Sequence, residues 1–222
     1  MTLEDGRPIG LAWAYDRYEL VADGVVHIVG AVFAVAAAAV LVTLALVDLP
    51  PATVASLSVY ALALMAVIGC SAAYNMWPIS RTKWLLRRFD HAAIYLMIAG
   101  TYTPFMIRLG TPLSFGVLGG VWAVALGGAV IKLVAPGRFD RLAVGLYLAL
   151  GWSGLMVADQ VAATLPVSAT SLLVTGGLLY SVGVIFHAWR SLRFQNAIWH
   201  AFVLAAAACQ YAAVVSGVVL AA

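Results

Sequence analysis

Seven stretches of this chain carry no Asp, Glu, Lys or Arg: 24–47, 49–80, 91–107, 109–131, 142–158, 160–189 and 194–222. A helix needs about 20 apolar residues to cross a bilayer, with roughly 17 to 25 tolerated, and every stretch is that long. In lipid the backbone must satisfy its own hydrogen bonds, so only helices and closed barrels span. No apolar–polar alternation supports a barrel. The expected fold is therefore an all-α integral membrane protein, a seven-transmembrane helix bundle over 19–222 behind a polar tail, 1–18. Only 9% of residues are charged, against about 25% in soluble domains.

The few charges fall in a pattern. Arg7 and Arg17 precede the first span, and Arg81, Lys83, Arg87 and Arg88 separate the second from the third. Lys132, Arg138 and Arg141 follow the fourth, and Arg190 and Arg193 follow the sixth. These alternate segments hold 11 of the 12 basic residues; the other side has Arg108 alone. The positive-inside rule places the N-terminus in the cytoplasm and the C-terminus outside. Basic residues dispersed over loops argue against a nucleic-acid partner. The acidic opening, Glu4 and Asp5, lacks the basic-then-apolar pattern of a cleaved signal, so the first span is expected to be retained. Leu11, Trp13 and Tyr15 suggest an interfacial turn in the tail. Cys70 and Cys209 fall in different spans and form no disulfide framework.

With this topology the polar residues of the spans gather at one membrane face. Glu19, Asp23 and His27, spaced by four, form one stripe at the start of span one. Ser71 and Asn75 end span two, Asp90 and His91 begin span three, His187 ends span six, and Asn196 and His200 begin span seven. Ionisable groups in membrane helices usually face the bundle interior and mark function. His91, turned about 100° from Asp90, is expected to face the headgroups. Tyr102 and Thr103 are expected to bond neighbouring helices, and Gln210 lies too deep for the site. Gly116 and Gly120 allow close helix approach, read as packing within the bundle.

The blocks YELVADGVVHIVG, CSAAYNMWP, RRFDHAAIYLMIAGTYTPF and NAIWHAFVLAAAACQY resemble the hemolysin III family, the bacterial branch of the progestin and adipoQ receptor family. The resemblance implies seven membrane helices with a cytoplasmic N-terminus, in the inner membrane for a bacterial chain. It also implies kinship with ceramidase-type membrane hydrolases that hold zinc near the cytoplasmic side. In that pattern a Ser and a His four apart end helix two, an Asp begins helix three, and His-x-x-x-His begins helix seven. Ser71, Asp90 and His200 match it and become the candidate catalytic residues. Asn75 and Asn196 stand where two histidines are expected, and Asp23 stands where Asn is common.

A family-like zinc site would need three imidazoles, so no metal ligand set is assigned and no cofactor is expected. Zinc held through His27 or His187 is the rival. The expectation is a metal-free network in which an Asn bridges Asp90 and His200. Glu19, Asp23, His27, Asn75, Asn196 and His187 are the candidate ligand-binding residues. Three functions compete: a sensor or membrane-homeostasis protein binding a membrane lipid or small lipid-like ligand, a metal-dependent hydrolase of lipid amides or esters, and a pore. The first leads, because the imidazoles are missing and no span is polar from face to face.

Overall fold

The structure, a computed structural model, describes residues 15–137 and 139–221. The expected turn through Leu11 and Trp13 lies outside the described residues. The order is α1 (Arg17–Asp48), α2 (Pro51–Met76), α3 (Arg81–Leu109), α4 (Pro112–Val134), α5 (Asp140–Trp152), a 3-10 turn (Ser153–Val157), α6 (Ala158–Thr164), α7 (Val167–Ala188), α8 (Gln195–Val214) and a π-turn (Val215–Val219). Among the described residues there is no strand. Seven spans are long and apolar enough to cross a membrane, the fifth running from Leu142 to Thr164.

Local chemistry sets the helix ends. Asp16 accepts from the Tyr18 and Glu19 amides while Glu19 reaches back to Asp16, a capping box that starts α1. Thr111 and Ser114 do the same for α4, behind Pro112. Gly110, at φ +64°, closes α3 in the left-handed region that costs glycine least. At the far end Arg108 donates to the Ala221 carbonyl beyond the π-turn. Cys70 and Cys209 are unpaired.

α3 runs through the middle: 61% of its apolar window is buried, against 17–39% in the other spans. Its centrality follows from small residues, because Ala92, Ala93, Ala99 and Gly100 let neighbours approach closely. The buried stripe of α1 is Asp23, His27, Gly30, Ala34, Ala37, Leu41 and Ala45, one face at helical spacing. The polar pair opens that stripe, so the side that packs on the bundle also carries Asp23 and His27 inward. Gly116 and Gly120 differ from expectation. Both are exposed, and a methyl added at either would meet nothing within 4 Å; they face outward from the bundle.

The fifth span is broken where its sequence reads as continuous. Between α5 and α6 the backbone tightens into the 3-10 turn, and Tyr102 of α3 stitches the break. Its hydroxyl accepts from the Gly154 amide at 2.6 Å and from the Ser153 hydroxyl at 3.1 Å. It donates toward the Leu150 and Gly151 carbonyls, each 2.9 Å away. Tyr102 and Thr103 thus both bond neighbouring spans as expected, Thr103 accepting from Trp122 of α4 while it donates to the Ala99 carbonyl of its own helix. Tyr102→Phe should strand the Gly154 N–H and one carbonyl, costing about 1–3 kcal/mol per group left unpaired. A lowered melting temperature in detergent is the expected result; an unchanged one would mean the break holds itself.

Candidate functional site at the basic end of the bundle

The side chains that meet at this end are positioned by the loops around them. Glu19 accepts from the Phe194 amide at 2.9 Å, and Asp16 pairs with Arg193 at 3.0 Å. These bonds tie the start of α1 to the entry of α8, where Phe194 takes φ +60°. Lys83 donates to the carbonyls of Tyr74, Asn75 and Trp77 at 2.8–3.0 Å, a buried ammonium that caps α2. Glu19 and Lys83 thereby set the register of three helix ends. One turn along α1 from Glu19, Asp23 faces α8.

Asp23, 3% exposed, is the hub. One carboxylate oxygen lies 2.6 Å from His200 Nδ1, and the other accepts from Asn196 Nδ2 at 2.9 Å. Asn196 also donates to Asn75 Oδ1 at 3.1 Å. Asn75 donates to the Ser71 carbonyl at 2.9 Å and lies 3.4 Å from the Ser71 hydroxyl. That hydroxyl is 3.2 Å from His27 Nε2, and His27 Nδ1 donates to the Asp23 carbonyl at 2.8 Å. A ring of hydrogen bonds therefore closes through α1, α2 and α8. The His27 and His200 rings meet edge to face, with centroids 4.5 Å apart.

Five of the nine candidates named from sequence, Asp23, His27, Ser71, Asn75 and Asn196, close this ring, and a sixth, His200, joins it through Asp23. Asp90 is not its acceptor: the carboxylate that joins Asn196 to His200 is Asp23, because the buried stripe of α1 points there. Asp90, 9% exposed, sits beside the ring, with Ser71, His200, Arg87 and Asp23 as the polar groups around it. Glu19 stays at the helix-end belt. His187 packs its ring on Trp199, centroids 5.0 Å apart, and its Nδ1 has no partner among the described residues. Gln210 bonds the Leu173 carbonyl on α7, a helix contact far from the site.

His91 turns inward rather than to the headgroups, lying 3.9 Å from Asp90 and 4.0 Å from Asp140. Asp140 in turn pairs with Arg87 and Lys132, each at 2.7 Å. Burial pushes the Asp140 carboxyl up, but the Lys132 and Arg87 hydrogen bonds outweigh it and hold it below the usual carboxylate range. Sequence reasoning missed Lys83 and Asp140 as structural members of this end. Both lie in charged segments, where a charge signals topology first.

The donor set bears on a metal. Asn75 and Asn196, the two positions at which the sequence resemblance led histidines to be expected, are amides bonded to each other. Asp23, His27 and His200 can each offer one ligand atom, and these atoms lie within 4.8 Å of one another. Two imidazoles with a carboxylate is the chemistry of open three-ligand zinc sites, so the residues present fit a transition-metal ion.

Comparison with known proteins agrees with the fold and with the spread of the sequence blocks. The family profile described as Haemolysin-III related matches residues 19–211. A hemolysin-3 homolog of Bacillus subtilis (strain 168) is 35% identical over 194 residues, covering 87% of this chain and 91% of that protein. Hemolysin-3 of Bacillus cereus is 34% identical over 194 residues, covering 87% and 89%. Human monocyte to macrophage differentiation factor is 29% identical over 163 residues, covering 70% and 67%. With seven apolar helices and a family match across nearly all of them, this chain is a multi-pass membrane protein of the haemolysin-III related family.

Proposed function

We propose that the protein is a membrane-homeostasis protein or sensor that binds the polar end of a lipid-like ligand at the Asp23 centre, on the cytoplasmic side. The observation that carries this is the convergence of six hydrogen-bonding side chains from three spans at the basic end of the bundle. Polar groups are costly in an apolar bundle and mark function more often than packing. Imidazole, amide and carboxylate together suit the hydroxyl and amide groups of a lipid headgroup.

A hydrolase of lipid amide or ester bonds is the second reading, favoured by the donor set of Asp23, His27 and His200. A metal there would supply Lewis acidity and an activated water. Asp90, next to Ser71, would then take up a proton from the attacking side. The experiment is mass spectrometry of lipid extracted from purified protein, alongside incubation with ceramide and a short-chain ester. Intact lipid held by the wild type and lost in His200→Leu supports binding. Cleavage abolished by a chelator supports the hydrolase, and neither result would leave the centre without a lipid role.

The orientation belongs to the same proposal. The 11-to-1 partition of basic residues predicts that a tag in the Arg81–Arg88 segment is reached only from the cytoplasm and a C-terminal tag only from outside. A C-terminal tag labelled from the cytoplasm would put the Asp23 centre on the opposite side.

A further inference from the structure

Among the described side chains, the cations at the basic end of the bundle are paired or in water, with one exception. Lys83 donates to three carbonyls at the end of α2. Arg87 and Lys132 close on Asp140, and Arg193 on Asp16. Arg17, Arg81 and Arg190 stand exposed. Arg88 is half-buried and has no carboxylate partner among the described residues. Its one hydrogen bond runs from a terminal guanidinium nitrogen, Nη1, to the Leu133 carbonyl at 3.3 Å, and its Nε is buried without a partner. Arginine stays charged in proteins, and a charge withdrawn from water without a counter-ion is costly. The empty side of this guanidinium, Nε with Nη2, is the fork that holds a phosphate or carboxylate through two parallel bonds.

The surroundings of Arg88 select between those anions. Leu85, Arg88 and Phe89 are i, i+3 and i+4 on α3 and share one face, and Leu85 and Phe89 are exposed. Across the seam, Ile131 and Val134 of α4 are exposed as well. Both helices are long and apolar enough to cross a membrane, so these side chains face lipid. Leu133 is the last residue but one of α4, which puts Arg88 at the level where that helix leaves the hydrocarbon and headgroups begin. A cation at this level, with acyl-chain surface on both sides, is complementary to a phosphate that carries its own acyl chains. We propose that the α3–α4 seam at Arg88 binds an anionic phospholipid of the leaflet at the basic end. Its phosphate accepts from the Nε–Nη2 fork, and an acyl chain runs inward past Phe89 and Ile131. Basic pockets between spans recognise lipid headgroups in this way. The Asp23 ring is built from α1, α2 and α8, so this site is separate from it and does not rest on what that centre binds.

Native mass spectrometry of the full-length protein in detergent tests this. The probes are phosphatidylglycerol, phosphatidylcholine and diacylglycerol with the same chains, and inorganic phosphate. The wild type should retain one phosphatidylglycerol under conditions that strip the other two lipids, and should melt higher with phosphatidylglycerol than with either. Arg88→Gln should weaken that binding about tenfold or more, the loss of a hydrogen-bonded charge, whereas Arg81→Gln, exposed on the same helix, should not. Leu85→Glu leaves Arg88 in place but gives it a carboxylate one turn away on the same face. It should also lower phosphatidylglycerol binding, so the test does not depend on one variant folding. His200→Leu, at the Asp23 centre, should leave the phosphatidylglycerol bound. Equal retention of diacylglycerol, equal weakening by Arg81→Gln, or displacement by inorganic phosphate would each overturn the proposal. So would phosphatidylglycerol that survives both Arg88→Gln and Leu85→Glu. Loss in His200→Leu with retention in Arg88→Gln would move the lipid to the Asp23 centre, overturning this site while leaving the function proposed there standing.

Discussion

Asp23→Leu should be among the most destabilising single substitutions at the basic end of the bundle. It removes the acceptor for His200 Nδ1 and for one N–H of Asn196 at a position 3% exposed. Each N–H stranded there costs about 1–3 kcal/mol. Membrane hydrogen bonds average only about 0.6 kcal/mol in double-mutant cycles, but that figure describes replaced contacts, not donors left buried without a partner. Asp23→Asn keeps the shape and one acceptor for His200, while its amide opposes the Asn196 amide donor, so its loss should be smaller. Asp90→Leu should cost less than Asp23→Leu, because the ring closes without Asp90. Melting temperatures of the three variants in one detergent check the ranking. Equal losses at 23 and 90 would mean that Asp23 is not the hub.

Gly100→Ala should also weaken the bundle, although alanine is the better helix former by about 1 kcal/mol. A methyl on Gly100 would lie 2.7 Å from the Ala63 Cβ, with the α2 backbone at 3.6–3.8 Å behind it. Nothing there is the movable end of a flexible side chain, so α2 and α3 must separate. Overpacking of this kind costs about 1–3 kcal/mol, and Gly100→Leu should cost more. Ala63→Gly in the Gly100→Ala background should restore most of the loss, because it removes the atom that is struck. No rescue would place the strain elsewhere. The same pair of helices presents Ser71 and Asp90, so the separation should weaken the site as well as the fold.

Membrane crossing was legible from the chain because it depends on consecutive residues alone. A charge-free run long enough for the bilayer must form a helix whatever its neighbours do, and seven such runs make seven spans. The gathering of polar side chains at one end was legible for the same reason. Position along a span fixes depth, and alternate span ends share a face. Depth is not rotation, however. Whether Asp23 or Asp90 accepts from His200 depends on how α1 and α3 are turned about their axes. Packing across the bundle decides that, through the buried stripe of α1 and the Glu19 bond to the entry of α8. His91 turns inward for the same kind of reason, with Asp140 arriving from a distant segment. The break at Ser153–Val157 has no local signal, because the group that satisfies it is Tyr102, some fifty residues earlier on α3. Sequence determined which groups lie at which depth in the membrane; only the tertiary structure decided which of them touch, because contact between helices is set by rotation and register that no single span encodes.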